Sequence, residues 1–314
     1  MVAAIRLVLI LTENDTLFPG GAIRPLLDLA VAAEEAGLDG VMASEHVVLG
    51  ADSGAAGLPA NPREYALPGN QDPGTSWPSS LLLLSAVAAV TTRVRLIASA
   101  VIPPLRHPLL LAKEIATLDR LSEGRLVVQP TVSWHRAEYE ALGVPFEHRG
   151  ALLDEHLVAW RAVWSGRPAS FDGAHYRFAD VTVAPSPASA NGPALWFGSD
   201  RLHPAVLRRL VRSGSGYNPL GRPTDEELTE LRTAFVEAGR DPEELEMVGG
   251  TRARFTDATG VADLGEALAS IPEQVARGFG TFCIKPSQFL DDPGAIGPWC
   301  REVVERVDEL ARRP

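Results

Sequence analysis

The sequence predicts a single domain, residues 1–314, folded as a closed (β/α)₈ TIM barrel. Short apolar runs typical of buried parallel strands alternate with helical segments, and this alternation repeats eight times along the chain. Eight such units in one chain favour a closed barrel over an open sheet. No G-x-G-x-x-G motif follows any predicted strand, so the usual signature of the open doubly wound alternative is missing.

The first half of the chain contains four predicted strand–helix units. Gly37 is the predicted C-terminal stop of the first helix, and Pro108 is the predicted start of the third. Residues 47–78 are rich in glycine and proline and show no period, which is typical of a long functional or disordered loop. The predicted strands and helices are, in order, 5–11, 23–36, 38–43, 79–90, 94–101, 108–123, 125–132 and 150–165.

The second half continues the rhythm with a weaker pattern. Turn signals and prolines over residues 166–193 predict an excursion between the fourth and fifth units. Thr224 and Glu227 have the spacing of a capping box at a helix start. The predicted elements are 194–197, 203–212, 216–219, 224–238, 246–252, 263–277, 281–285 and 299–312.

Charge and cysteine content narrow the expected partners and setting. Forty acidic residues against 29 basic ones leave a net charge of −11, which repels phosphate backbones and anionic lipid. We therefore expect no nucleic-acid partner and no membrane surface, and the sequence has no apolar run of bilayer length. With only two cysteines and no signal-peptide pattern, we expect a soluble protein of the reducing cytoplasm.

Polar residues at the predicted strand ends indicate where an active site is expected, because barrel enzymes place their chemistry there. His46 is the only one of the seven histidines directly at a strand end, so it is the candidate proton donor or acceptor. A structural histidine is an equally weighted alternative on position alone. No metal site is expected, because zinc-type spacings are missing. His135 and Glu138 are interpreted as a solvated helix face.

Two regions of the sequence bear on anion binding. Gly198 and Ser199 precede a predicted helix whose N-terminus could hold a phosphate, although an ordinary helix cap explains them equally well. Three basic residues follow the last two strands, and each is interpreted as a surface charge or salt-bridge partner in preference to a ligand of an anion: Arg252, Arg254 and Lys285.

Five motifs follow one another in the chain: AEEAGLDGVMASEH, HPLLLAKEIATLDRLSEGRL, WHRAEYEALGVPFEHRG, FDGAHYRFADVTVAPSP and ALWFGSDRLHPAVLRRLVRSGSGYNPL. Their content and order resemble the bacterial-luciferase-like superfamily of flavin- or deazaflavin-dependent oxidoreductases, which fold as (β/α)₈ barrels. The resemblance extends from Ile5 to about Leu245 and is strongest to the branch that uses the deazaflavin coenzyme F420.

The resemblance implies roles for particular residues. His46 matches the active-site histidine of the family, and Glu45 is the acidic residue before it that we expect to orient it. The segment 143–193, between strands four and five, matches an insertion that covers the site in this family. Together with the loop 47–78 it is expected to cover a small organic substrate, with Trp77, Trp134 and Tyr217 as candidate lining residues.

The resemblance also implies the cofactor contacts. The bond between Ser99 and Ala100 matches a non-prolyl cis peptide on which the cofactor ring rests, and Gly198 with Ser199 matches a phosphate-binding glycine pair. At positions 129–134 the family pattern Gly-Val-Gly-x-Gly-Trp is replaced by Gln-Pro-Thr-Val-Ser-Trp, and Val132 replaces an arginine that contacts the flavin phosphate in luciferase-type members. We expect the hydroxyls of Thr131 and Ser133 to replace some of the lost backbone contacts.

Three functions are compatible with these observations. The leading hypothesis is an F420-dependent oxidoreductase that transfers hydride between the deazaflavin and a small organic substrate, with His46 as proton donor or acceptor. The first alternative is an FMN-dependent monooxygenase, which would consume oxygen. The second is a barrel that has lost its cofactor and serves in binding. Similar proteins are commonly homodimers, so a homodimer is expected.

Overall fold

The computed structural model describes residues 5–312 of the chain. The strands are β1 (Arg6–Ile10), β2 (Gly40–Ala43), β3 (Arg95–Val101), β4 (Leu126–Pro130), β5 (Ala169–Asp172), β6 (Arg177–Val181), β7 (Ala194–Phe197), β8 (Gly216–Tyr217), β9 (Glu246–Gly250) and β10 (Thr281–Ile284). The helices are α1 (Pro25–Ala36), α2 (Ser80–Val90), α3 (Pro108–Leu121), α4 (Arg136–Ala141), α5 (Arg149–Trp164), α6 (Pro204–Ser213), α7 (Asp225–Glu237), α8 (Leu264–Leu268), α9 (Ile271–Ala276) and α10 (Ile296–Arg312).

Eight parallel strands close into a barrel in the order β1-β10-β9-β8-β7-β4-β3-β2, which confirms the predicted (β/α)₈ fold. The two strands outside the barrel, β5 and β6, pair antiparallel as a hairpin within the predicted excursion. The barrel strands β2, β4 and β10 are buried along their whole length. Burial on both faces explains why these strands are mostly apolar and lack the regular apolar–polar alternation of half-exposed sheets.

Contacts group the chain into two compact units. The first unit contains the chain up to Met42, the segment Leu58–Ala66 and the chain from Leu195 onward, and the second contains Ala43–Gly57 and Leu67–Ala194. In the first unit β1 pairs with β10 on one side and with β2 on the other, and α1 packs on α10. In the second unit β3 pairs with β4, and α3 packs between α2 and α5. A single domain over residues 1–314 stays a prediction.

Helix boundaries follow the local signals. Pro25 opens α1, and Gly37 ends it at φ 95° while its N–H reaches the carbonyls of Ala33 and Glu34, as predicted. The capping box of Thr224 and Glu227 is present at the start of α7. Among the described residues, no helix is both long enough and apolar enough to cross a membrane.

Several predicted elements differ in extent from the observed ones, and proline explains three of the differences. The predicted helix 263–277 is two short helices, because Pro272 lacks the N–H that would continue the first into the second. The strand predicted over 125–132 ends at Pro130, and the strand predicted over 216–219 ends two residues before Pro219. The hairpin β5–β6 and the short helix α4 were not among the predicted elements.

Candidate active site

His46 lies three residues beyond the end of β2, where its ring has one buried and one accessible nitrogen. Its side chain is 11% exposed, and Nδ1 lies 3.5 Å from the Oε2 atom of Glu138. The rings of Trp77 and Trp134 contact the imidazole edge-on, with centroids 5.3 and 6.0 Å away. Nδ1 is buried, so Nε2 is the nitrogen that can meet a reacting molecule.

Glu138 lies buried at the centre of this arrangement, whereas the interpretation from the sequence places it on a solvated helix face. Its side chain is 0% exposed. Its Oε1 accepts hydrogen bonds from the N–H groups of Val47 (2.6 Å) and Val48 (3.3 Å), and its Oε2 accepts one from the Ser133 hydroxyl (3.0 Å). That interpretation is therefore wrong, because α4 lies against the loop that follows β2 and excludes water from the carboxylate.

The environment of Glu138 favours its charged form. Burial tends to raise the pKa of the Glu138 carboxyl, but the His46 ring, the Val47 N–H and the Ser133 hydroxyl outweigh burial and hold that pKa below its ordinary value. Glu138 is therefore a carboxylate at neutral pH, with hydrogen-bond donors on both oxygens.

His135, the residue before α4, supports the same loop. It is 1% exposed, and its Nε2 accepts a hydrogen bond from the N–H of Gly50 at 2.7 Å. Tyr139 is fully buried on the same helix, and its hydroxyl donates to the Val132 carbonyl at 2.5 Å. The signal that could have revealed this face is the spacing of Glu138 and Tyr139, which follow His135 by three and four residues, about one helical turn.

Glu45 does not take the orienting role expected of it, because both of its oxygens are bonded elsewhere. Oε2 accepts from the backbone N–H (3.1 Å) and hydroxyl (2.9 Å) of Ser80, and Oε1 accepts from Arg106 Nη1 at 2.7 Å. A carboxylate bonded to the first turn of α2 also meets the positive end of that helix dipole. Glu45 thus anchors α2 to the end of β2, and the carboxylate beside His46 is that of Glu138.

The peptide bond between Ser99 and Ala100 is cis, as the family resemblance implies. The Ser99 hydroxyl donates to Gln129 Oε1 at 2.9 Å, and the pairing of β3 with β4 shifts register between Ser99 and Val101. Gln129 is the first of the three residues that replace family glycines, and it is 4% exposed. Its amide is therefore part of the bulge at which the cofactor ring was expected.

The other two replacements behave differently from each other. Ser133 has φ 55°, so this serine adopts the left-handed conformation usual for the glycine it replaces. Its hydroxyl donates to Glu138 and accepts a hydrogen bond from the N–H of His135 at 3.3 Å. Ser133 therefore helps to hold the residues that support the loop after β2. The Thr131 N–H donates to the Val101 carbonyl, while its partly buried hydroxyl makes no hydrogen bond within the described residues.

Gly198 and Ser199 belong to the first compact unit and have local structural reasons for their identity. A Cβ at Gly198 would lie 1.7 Å from the carbonyl oxygen of Asn218, so only glycine fits between these backbones. The Ser199 hydroxyl donates to the Arg201 carbonyl. Binding of a phosphate by these two residues stays a prediction.

Lys285 is the only predicted basic residue that the structure buries fully, with 1% of its side chain exposed. Its Nζ donates to the Glu64 carbonyl at 2.8 Å and lies 3.6 Å from Glu13 Oε2. Burial lowers the pKa of Lys285, while the Glu13 carboxylate opposes that shift. Lys285 is thus a salt-bridge partner that holds the segment 58–66 in the first unit. Within residues 5–312, His, Cys, Asp and Glu side chains form no cluster able to hold a metal ion.

Comparison with known sequences adds a family to this geometry. The sequence pattern of luciferase-like monooxygenases matches residues 6–258. An uncharacterized protein of Mycobacterium tuberculosis is 35% identical over 162 residues, covering 50% of this chain and 56% of that protein. The F420-dependent glucose-6-phosphate dehydrogenase of Nakamurella multipartita is 32% identical over 266 residues, covering 80% of this chain and 70% of that enzyme. The FMNH₂-dependent dimethylsulfone monooxygenase of Pseudomonas putida is 28% identical over 232 residues, covering 72% of this chain and 62% of that enzyme.

Solved structures share the fold over almost the whole chain. The monooxygenase RslO1 of Streptomyces bottropensis superposes with a TM-score of 0.74 at 20% identity, covering 98% of this chain and 99% of that one. An F420-dependent secondary alcohol dehydrogenase in complex with an F420–acetone adduct superposes with a TM-score of 0.71 at 16% identity, covering 99% of this chain and 100% of that one. The chain spans little more than half the length of the mycobacterial relative, 56%.

Proposed function

Because the chain belongs to the luciferase-like monooxygenase family, we propose that it is an oxidoreductase that uses coenzyme F420 to move hydride to or from a small organic substrate. The main support for this proposal is the position of the His46 ring, whose Nδ1 lies 3.5 Å from the Glu138 carboxylate. A histidine supported by a carboxylate on one nitrogen can accept or release a proton at the other. Hydride transfer to a carbonyl, or from an alcohol, requires such a group.

The residues at the ends of β3 and β4 fit a bound cofactor. The cis bond at Ser99–Ala100 is where the family resemblance implies contact with the ring. Among the predicted contacts with a polar side chain, Thr131 alone has no side-chain hydrogen bond within the described residues, so its hydroxyl is free to bond a polar cofactor. When bound, F420 would supply the hydride chemistry, and the protein would supply binding, orientation and a proton.

In this proposal His46 Nε2 takes the hydroxyl proton when an alcohol substrate becomes a carbonyl compound, and returns it in the reverse direction. Glu138 stabilises the imidazolium that forms when Nε2 accepts the proton. Trp77 and Trp134 border the same ring and offer apolar surface to an uncharged part of the substrate.

An FMN-dependent monooxygenase is the second candidate, and the 28% identity to the dimethylsulfone monooxygenase favours it. Val132 argues for F420, because the resemblance places an arginine for the flavin phosphate at that position. The proposal also includes a homodimer in the cytoplasm. Cys283 and Cys300 are free and buried thiols, which suits a reducing compartment.

The test of the proposed reaction is the oxidation of reduced F420, and the reverse reaction, with a panel of small ketones, aldehydes and alcohols under argon and in air. We expect turnover that does not depend on oxygen. His46→Asn should lower kcat about 10²- to 10⁴-fold while F420 still binds, because only the proton step is lost. The exposed His148→Asn is the matched control and should keep full turnover. Oxygen-dependent product formation, or full activity of His46→Asn, would refute the assignment.

A further inference from the structure

The geometry points to Glu138 as the positioning residue of His46: it keeps the proton on Nδ1 and so presents the Nε2 lone pair to the substrate. The part of this inference that concerns the substrate rests on the proposed function. The part that concerns the location of the proton rests on the structure alone.

The surroundings of Nδ1 decide where the proton sits. Nδ1 is buried, and the Glu138 carboxylate is its only polar neighbour that the structure gives within the described residues, with Oε2 at 3.5 Å. An ionised carboxylate can only accept hydrogen bonds. A lone pair on Nδ1 would be repelled by the negative oxygen of Glu138, whereas an N–H on Nδ1 is attracted to that oxygen. Neutral His46 therefore carries its proton on Nδ1.

Glu138 is held so that it cannot turn away from the ring. Its Oε1 is bonded to the two N–H groups that directly follow His46, those of Val47 and Val48. Its Oε2 is bonded to the Ser133 hydroxyl. The same carboxylate therefore sets the backbone of the loop that carries the histidine and the electrostatic environment of its ring.

The two tryptophans limit rotation of the imidazole. Trp77 lies at an interplanar angle of 73° to the His46 ring, and Trp134 lies at 78°. A rotation that exchanged Nδ1 and a carbon atom would move the ring edge against these packed rings. Packing thus holds the plane of the ring, and the Glu138 carboxylate distinguishes the ring edge that carries Nδ1 from the edge that carries carbon.

Glu138→Gln is the informative substitution, because its amide has the same shape and opposite hydrogen-bonding character on one side. Its carbonyl oxygen can keep the N–H groups of Val47 and Val48. Its NH₂ group then faces Ser133 and His46, and a donor at that place requires a lone pair on Nδ1. The proton of neutral His46 should therefore move to Nε2 in this variant.

The test is nitrogen NMR of the unloaded protein labelled with ¹⁵N-histidine, at a pH at which His46 is neutral. His46→Asn identifies the His46 signals by their disappearance. We expect the wild-type protein to show a protonated Nδ1 and an unprotonated Nε2, and Glu138→Gln to show the opposite pattern. Glu140→Gln, on the exposed side of the same helix, and Ser133→Ala, which keeps the carboxylate, should both show the wild-type pattern.

The inference is overturned if the wild-type protein carries the proton on Nε2, or if Glu138→Gln leaves the proton on Nδ1. The wild-type spectrum decides the matter even where Glu138→Gln fails to fold. With F420 and a substrate, Glu138→Gln should lower kcat about 10²-fold without weakening F420 binding. Failure of F420 to bind would refute the proposed function and leave the NMR result standing, so the two failures are distinguishable.

Discussion

Glu45 and His46 are adjacent in the chain and have entirely different partners. Glu45 is bonded to Ser80 and Arg106, and His46 lies beside Glu138. The position of His46 after an apolar run could be predicted from the sequence, because strand ends of a barrel are where chemistry is placed. The partner could not, since 92 positions separate His46 from Glu138 and no local pattern specifies a contact made by a loop folding onto α4.

A second histidine, His156, predicts a measurable dependence of stability on pH. It is fully buried on α5, with Nδ1 2.8 Å from the Leu152 carbonyl and Nε2 3.0 Å from the Arg106 carbonyl. Burial lowers the pKa of His156 from 6.5 to about 4, against the opposing effect of the two carbonyls. As the pH falls, the unfolded chain therefore binds this proton before the folded one.

The stability that His156 contributes is present above about pH 6.5 and is lost as the pH falls toward 4. The loss amounts to up to about 3 kcal/mol of the free energy of unfolding. Urea unfolding at several pH values gives the slope of the free energy of unfolding against pH. In this window the slope for His156→Gln should correspond to the uptake of about one proton fewer on unfolding than in the wild type. The exposed His148→Gln should keep the wild-type slope, and equal slopes for both variants would contradict the assignment.

At the scale of elements, close backbone approach is sufficient to explain why the residue after β7 is a glycine. The Asn218 N–H donates to the Phe197 carbonyl at 2.9 Å, which draws the ends of β7 and β8 together. A Cβ at Gly198 would lie 1.7 Å from the Asn218 carbonyl oxygen, and a backbone atom cannot turn aside as a flexible side chain can. The sequence marked Gly198 as special, but it could not distinguish this packing reason from a phosphate site.

Gly198→Ala should therefore destabilise the protein by about 2 kcal/mol or more, since an added methyl in a filled space forces the backbone to shift. Gly280→Ala is the matched control, because a Cβ there meets no atom within 4 Å. Urea unfolding of both variants checks the expectation. A Gly198→Ala protein as stable as Gly280→Ala would show that the two strand ends can separate at little cost.

Elements with strong local signals were predicted and those defined by distant contacts were not. The capping box at Thr224 and the stop at Gly37 are local, and both are present in the structure. The loop 47–78 had no local pattern, yet the segment 58–66 is tied down by contacts such as that of Lys285 with the Glu64 carbonyl. Such contacts join residues more than 200 positions apart, so no reading of a short window reveals them.

At the scale of the whole molecule, the eightfold alternation of strand and helix was sufficient to predict the barrel, because few architectures accommodate it. The homodimer is still a proposal. One face of α2 exposes Leu82 (74%) and Val90 (47%), with Ala86 and Ala89 also exposed at helical spacing between them. A helix that is apolar on every face is usually covered on every face, and a twofold contact with a second copy would cover this one.

Leu82→Glu should convert the dimer to a monomer, because two like charges would be buried at a self-complementary contact. Sedimentation velocity across a range of concentrations checks this. Leu220→Glu, at another strongly exposed leucine (65%) that belongs to the other compact unit, should stay dimeric. A wild-type protein that is monomeric at all concentrations would contradict the homodimer, as would a Leu82→Glu protein that remains dimeric.

The central claim, an F420-dependent oxidoreductase with His46 at its site, is tested most directly by an equilibrium titration of the purified chain with F420 and with FMN. Cofactor fluorescence reports binding in each case. We expect saturable binding of F420 at micromolar concentrations or below and binding of FMN at least about tenfold weaker, a difference of about 1.4 kcal/mol. Tighter binding of FMN would favour the monooxygenase, and binding of neither cofactor would contradict the account.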